Sequence, residues 1–269
     1  MITTKFSDLA LSARTPDVAI VGAGAVGIAL AVLLARQGVT VTLIEAGPVK
    51  PPIAFRKAKR TLVHAGCNAD RIVVIPYGSP PPTAVLKSRP RGSCRFLFVG
   101  QGVQRKGLHH LAEAWRLAAL QGCELTVASY LIDPGIAPML ELPGVRLLGR
   151  QNSAELASLF AAADAFVMPS LVEGFGLVYL EALAAGCHVL GTGNTGLPDM
   201  ELSNVAATII PPGEPDTLAS ALTAIAQRKA SDGLDPEGIR AEAARWGWSD
   251  FRCSIAAHAE SLLCQAVVD

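Results

Sequence analysis

Aromatic residues make up only 5% of this 269-residue chain and charged residues 17%, with Lys plus Arg equal to Asp plus Glu at 23 each. A formal charge of zero leaves no global basic field to draw nucleic acid or an anionic membrane, so any anion site must be local. Cysteine is sparse and scattered: Cys67, Cys94, Cys123, Cys187, Cys253 and Cys264 show no paired close spacing. That argues against a zinc knuckle or a disulfide framework and makes a reducing cytoplasm the expected compartment. No Asp-x-Asp pair occurs, so no metal site is expected. One long apolar run exists, Val18 to Ala35, eighteen residues without a charge. Its glycines fall at a strand-to-helix turn and VTVTLIEAG follows at βαβ spacing, so a buried unit is expected there in place of a membrane span.

What is present is a hydrophobic content of 51%, enough for a substantial core. After a polar arm ending at Pro16, VAIVG reads as a strand, AVGIALAVLLARQG as a helix closed by Gly38, and VTVTLIE as a second strand. AFRKAKRTLVHAG then reads as a helix and RIVVIP as a third parallel strand. GSPPPTAVLKSRPRGS is the best linker in the chain. Beyond it strands and helices alternate: FLFVG, a helix from Lys106 to Leu120, ELTVAS, VRLLG, a helix from Ser153 to Ala163, AFVMP, a helix over LVYLEALAAG, HVLGT, ATII, and a helix from Asp216 to Gln227. The end of the chain, WSDFRCSIAAHAESLLCQAV, reads as an amphipathic helix with Ser249 as its cap. The pattern predicts an α/β protein of two Rossmann-like lobes. The first is abbreviated to βαβαβ; the second is a complete parallel sheet with helices on both faces. The expected boundaries are 1–78 for the first lobe, 79–93 for the linker, 94–247 for the second lobe and 248–269 for a terminal helix.

The chemistry concentrates in SLVEGFGLVYLE, Ser170 to Glu181, which sets two carboxylates eight positions apart around a Gly-Phe-Gly turn. The turn falls between a buried strand and a helix, so the amides of Gly174, Phe175, Gly176 and Leu177 face outward from a helix N-terminus, a ready anion site. In QGVQRKG, directly after Gly100, Arg105 and Lys106 supply cations in another strand-to-helix loop. Thr195 and Gly196 occupy the next strand-end loop. His188 reads as a strand entrance, and His109 and His110 as a helix surface.

EGFGLVYLE resembles the Glu-x7-Glu signature of retaining glycosyltransferases of family 4, which have the GT-B fold. FLFVGQGVQRKGLHHLAEAW resembles that family's first donor-lobe strand, phosphate loop and helix, and AAGCHVLGTGNTGLPDM its next strand and glycine loop. The likeness runs over about residues 53–266 and, for the terminal helix at 248–269, implies a return to the first lobe. It implies a nucleotide-diphosphate sugar as donor, with Glu173, Arg105 and Lys106 as catalytic residues. Gly100, Gly174, Phe175, Gly176, Leu177, Glu181, Thr195 and Gly196 would hold the donor, with Glu181 on the ribose hydroxyls. It also implies metal-independent transfer with retention by front-face departure, to an acceptor that is a glycan, a lipid or a small molecule. Where the family has a second basic residue after the strand's glycine, this chain has Gln101.

The N-terminal third carries a different likeness. GAGAVG from Gly22 to Gly27 is a full G-x-G-x-x-G after a strand, with Glu45 eighteen positions beyond the last glycine, and residues 17–47 resemble the opening unit of flavin-dependent oxidoreductases. That implies an alternative FAD or NAD site at Gly22, Gly24, Gly27 and Glu45. No later flavin motif or second dinucleotide unit follows, so no cofactor is expected to be required. The family's first lobe is larger than the one read here, which leaves open an active transferase, a nucleotide-sugar binder with a truncated acceptor lobe, and a silent fusion fragment. Peripheral membrane association and self-association through the first lobe also remain open readings.

Overall fold

The computed structural model describes residues 18–21, 41–44, 78, 93–173, 175–254 and 257. Strands β1 (Val18–Val21) and β2 (Val41–Ile44) pair in parallel, Val18 opposite Val41 and Val21 opposite Ile44. Parallel neighbours in chain order require a crossover, as the βαβ reading expects. The helices read over 25–38 and 54–66, the third strand at 71–76, and Gly22, Gly24, Gly27 and Glu45 lie outside the described residues.

The second lobe is a six-stranded sheet in the order β5-β4-β3-β6-β7-β8. Its strands are β3 (Arg95–Val99), β4 (Glu124–Ala128), β5 (Val145–Leu148), β6 (Ala165–Met168), β7 (His188–Thr192) and β8 (Ala207–Ile210), and every neighbouring pair runs parallel. Chain order reverses direction between β3 and β6, the topological switch where such sheets open a ligand crevice at the strands' C-terminal ends. β6 and β7 are buried along their whole length, as expected of unbroken apolar runs covered on both faces.

Helices cover both faces. α1 (Leu108–Ala118) buries Leu108, Leu111, Ala112, Ala114 and Trp115, spacings of three and four residues that make one apolar stripe. It packs against α4 (Pro215–Ala230), which offers Leu218, Leu222 and Ile225. α3 (Leu177–Ala184) packs against α5 (Pro236–Ala243). Truncating a fully buried leucine such as Leu111 or Leu222 costs about 2–5 kcal/mol. α2 (Ser153–Ala162) starts with a full capping box: the Asn152 side chain accepts from the Ala154 and Glu155 amides, and Glu155 reaches back to the Asn152 amide at 2.8 Å.

Three local expectations change. The helix read from Lys106 starts at Leu108, because Gln104–Lys106 forms a separate 3-10 turn closed by Gly107 in the left-handed region, φ 72°. α5 has no counterpart in the sequence reading, although Asp235 caps it through the Glu237 and Gly238 amides and Pro236 occupies its first turn, both ordinary start signals. The last helix begins at 248, so Ser249 lies inside it and does not cap it. Its first residue lies against position 78: Gly78 is buried, and a Cβ there would lie 2.3 Å from the Trp248 Cα.

The N-terminal edge of the sheet carries an ionic staple. Asp164, 1% exposed, accepts the Arg95 amide at 2.9 Å and forms ion pairs with the Lys229 ammonium at 3.2 Å and the Arg95 Nε at 3.6 Å. It thereby ties β3, the entrance of β6 and α4 together.

Candidate functional site

At the opposite edge, where β3 and β6 end, the two predicted loops meet. Arg105 Nη1 approaches Glu173 Oε2 at 3.1 Å, and Lys106 Nζ ion-pairs with the same oxygen. Arg105 Nη1 also donates to the Val172 carbonyl at 3.3 Å, and the Leu171 amide donates to the Arg105 carbonyl at 2.9 Å. One carboxylate and two cations from loops 67 and 68 residues apart in sequence are therefore held together by main chain as well as by charge. Lys106 and Glu173 are only 14% and 15% exposed in their side chains, while Arg105 stands 47% exposed at the rim. The inner pair interacts in a drier, lower-dielectric setting than the outer guanidinium.

The backbone makes this proximity possible. A Cβ at Gly107 would lie 2.0 Å from the Pro169 carbonyl oxygen, so only glycine allows the cation loop to lie against the end of β6 in its left-handed turn. Gly176, φ 84°, is the N-cap of α3, and a Cβ there would meet the Tyr179 ring at 2.6 Å. Tyr179 is fully buried and donates its hydroxyl to the Met168 carbonyl at 2.9 Å, fixing the first turn of α3 on the end of β6. Burial pushes its phenol well above the ordinary value, so it acts as a neutral brace.

The carboxylate turn is also clamped from β7. The Glu173 amide donates to the Asn194 carbonyl at 3.1 Å and the Asn194 side chain donates to the Leu171 carbonyl at 3.0 Å. Asn194 was not among the sequence-predicted residues; its signal was its place in the turn Gly-Asn-Thr-Gly, where asparagine commonly bonds to nearby main chain.

The remaining predicted residues separate by position. Gly100 ends β3 with its amide bonded to the Ala128 carbonyl. Leu177 is 43% exposed at the first turn of α3 and Phe175 is buried beneath it. Glu181 lies one turn further on, accessible on its surface yet flanked closely enough that partial desolvation raises its carboxyl above the ordinary value. Thr195 is fully buried, donates its hydroxyl to the Thr192 carbonyl at 2.8 Å and accepts the Leu197 amide, so its oxygen braces the turn. Gly196 donates its amide to the Phe175 carbonyl at 3.1 Å and is likewise a packing position. Gly174 lies outside the described residues. His188 starts β7 as expected and is fully buried, with Nδ1 2.8 Å from the Val205 carbonyl and Nε2 2.8 Å from the Thr208 hydroxyl. Burial pulls its pKa down to about 4. His109 and His110 lie on α1 as read, with ring centroids 3.9 Å apart.

A cavity of about 560 Å³ lined by Arg95, Trp115, Cys123 and Glu124 opens at the other edge of the sheet, where strands begin. It contains none of the converging groups above, so the chemistry points to the C-terminal edge and away from this hollow. Among the described residues, no cluster of three or more His, Cys, Asp or Glu side chains has metal-holding geometry, and no helix is long and apolar enough to cross a membrane.

An arrangement of two cations, one carboxylate and an uncapped helix start can hold a multiply charged phosphate ester while hydrogen-bonding a polyhydroxylated group beside it. Comparison with known proteins points the same way. Residues 93–228 match the family described as Glycosyl transferases group 1, and residues 15–58 match an FAD binding domain family. The amylovoran biosynthesis glycosyltransferase AmsK of Erwinia amylovora is 30% identical over 184 residues, 63% of this chain and 45% of that protein. A D-inositol 3-phosphate glycosyltransferase of Saccharomonospora viridis is 34% identical over 197 residues, 72% of this chain and 44% of that one. The chain spans about half the length of the curated relatives it matches. Among solved structures, sucrose-phosphate synthase from Thermosynechococcus elongatus aligns with a TM-score of 0.71 at 19% identity, covering 90% of this chain and 63% of that one. Anabaena HepE in complex with UDP and glucose aligns with a TM-score of 0.70 at 19% identity, covering 90% and 71%.

Proposed function

Because the chain belongs to the Glycosyl transferases group 1 family, we propose that the crevice at the ends of β3 and β6 binds a nucleotide-diphosphate sugar and transfers its sugar, with retention, to an acceptor hydroxyl. The observation that carries this reading is the convergence of Arg105 and Lys106 on Glu173. Lys106 and Arg105 take the diphosphate, the open amides at the start of α3 add dipole, and Glu173 and Glu181 accept hydrogen bonds from sugar and ribose hydroxyls. As the bond from the anomeric carbon to the phosphate oxygen breaks, charge grows on the diphosphate, and cations already in place stabilise it without reorganisation. The acceptor oxygen bonds to the anomeric carbon on the face the phosphate leaves, and its proton passes to the departing phosphate oxygen. No metal enters this scheme, since the two side-chain cations supply the neutralising charge.

The domain plan follows as part of the same proposal: a first lobe at 1–78, a linker at 79–93, a donor lobe at 94–247 and a returning helix at 248–269. The packing of Gly78 against Trp248 supports that return. The match of residues 15–58 to an FAD binding domain supports a dinucleotide-type βαβ unit inside the first lobe; a redox reaction would need further elements than this segment supplies.

Calorimetric titration with UDP-glucose, GDP-mannose and ADP-glucose tests the reading. At least one binds the wild-type chain, and Lys106→Ala combined with Glu181→Ala abolishes that binding. Affinity unchanged in the double variant removes the site assignment, while stabilisation by FAD or NAD in place of every nucleotide sugar would shift the reading to the first lobe.

A further inference from the structure

Cys94 immediately precedes β3 and Cys123 immediately precedes β4. The two strands pair in parallel with Arg95 opposite Glu124, and the Glu124 amide donates to the Cys94 carbonyl at 3.2 Å, so the register runs back one further residue. Cys94 and Cys123 therefore stand side by side. Alternation along the strands sends both side chains to the face of the sheet that carries Phe96 and Leu125. Neighbouring strands lie about 4.8 Å apart, inside the Cα separation of about 4.4–6.8 Å that a disulfide spans. The main chain holds β4 from its other side as well, since the Leu125 amide donates to the Gly144 carbonyl at 2.8 Å.

The two sulfurs differ in access. Cys94 is 1% exposed, whereas Cys123 is half-buried and lines the cavity of about 560 Å³ where the strands begin, together with Trp115 and Gln121. A hollow of that size admits a small peptide-like reagent. Burial, then the Asp164 carboxylate, then Cys123 itself push the Cys94 thiol up, so it stays protonated and unreactive toward reagents from solvent. That Cys123 is among those causes agrees with the register in setting the two thiols close together. Cys187 offers the contrast, its Sγ donating to the Phe160 carbonyl at 3.1 Å. Among the described residues, no hydrogen bond engages the sulfur of Cys94 or of Cys123.

We propose that Cys94 and Cys123 are a reversible modification site, a dithiol that a low-molecular-weight disulfide of the oxidised-glutathione class converts to a cross-link between β3 and β4. The Cys123 thiolate attacks one sulfur of the reagent, forming a mixed disulfide and releasing the first small thiol. Cys94 then gives up its proton and attacks the Cys123 sulfur; the bond between Cys123 and the reagent breaks, and the second small thiol leaves. Two electrons pass from the protein to the reagent, which departs as two thiols carrying the two protons. The second step is intramolecular, so proximity offsets the poor ionisation of Cys94. The cross-link lies at the edge of the sheet opposite Glu173 and stands independently of the nucleotide-sugar reading.

Peptide mapping of the folded full chain tests this after incubation with oxidised glutathione, acid quench, denaturation and alkylation of the remaining thiols. Trypsin separates the two cysteines by cutting at Arg95, Arg105, Lys106 and Arg116. The wild type yields residues 92–95 linked to residues 117–146, and dithiothreitol reverses the link. Cys94→Ala stops at glutathione on Cys123, while Cys123→Ser leaves Cys94 reduced, with circular dichroism confirming the fold of each variant. Glutathione resting on Cys123 of the wild type with Cys94 still free overturns the pair, and so does a link from Cys123 to any other cysteine. Recovery of both thiols fully alkylated overturns it too. Modification of Cys94 in Cys123→Ser overturns the order of attack.

Discussion

Two carboxylates in the second lobe each hold two cations, and they sit at opposite edges of one sheet. Asp164 binds Arg95 and Lys229 where the strands begin, at 1% exposure; Glu173 binds Arg105 and Lys106 where they end, with its side chain 15% exposed and Arg105 half in solvent. The groups are nearly the same and the physics differs. Around Asp164 the carboxylate and Lys229 have little solvent to fall back on, so losing the carboxylate strands the Lys229 charge even though Arg95 is 29% exposed. A triad at a rim can exchange its partners with water or with an incoming anion at small cost to the fold. The first arrangement suits a structural joint and the second a binding site.

Three substitutions or conditions sharpen or break that contrast. Asp164→Ala is expected to lower unfolding stability by about 3–5 kcal/mol in denaturant titration, while the molecules that remain folded bind the donor as before. A loss below about 1 kcal/mol would place Asp164 with the surface pairs. Lys106→Ala is expected to reverse the pattern, lowering kcat/KM for transfer by about 100- to 1,000-fold, the usual cost of one group aimed at developing charge, with a melting temperature close to wild type. A wild-type rate would mean that the rim triad is only a salt bridge.

The smallest of the three effects comes from His188, whose amide donates to the Asp164 carbonyl at 3.0 Å at the sealed edge. Its ring is neutral in the fold, donating from Nδ1 to the Val205 carbonyl and accepting from Thr208 at Nε2. With a native pKa near 4 against an ordinary 6.5, the unfolded chain binds the extra proton first. Stability is therefore full above about pH 6.5 and falls as pH drops toward 4, by about 3 kcal/mol in all. His188→Gln should flatten that part of the stability profile, and an unchanged acid limb would remove His188 as its source.

Much of the second lobe was legible because its signals are local and repeated. Buried parallel strands read as unbroken apolar runs, and Gly-Phe-Gly and Arg-Lys-Gly mark strand-to-helix turns that close approach of backbone demands. That the cationic loop and the glutamate turn lie at one sheet edge was expected; the direct ion pairs of Arg105 and Lys106 with Glu173 were not. The role of Thr195 was not legible, since a hydroxyl in a strand-end loop reads the same whether it faces out or braces the turn from within. α5 escaped because its apolar positions are few and its buried contacts, Ile239 and Ala243, gain meaning only once α3 is in place. The hydrogen bond between Gln101 and Tyr130 depends on β4 lying beside β3, a neighbour relation that spacing along the chain does not encode.

The contact between Gly107 and the Pro169 carbonyl has a further consequence. With the Leu171 amide bonded to the Arg105 carbonyl alongside it, the cationic loop and the acidic turn move as one piece, with no hinge between them. On the proposed nucleotide-sugar reading, ligand capture would spend little on assembling this part of the crevice, and adaptation to differently shaped donors would fall to side chains at its margin.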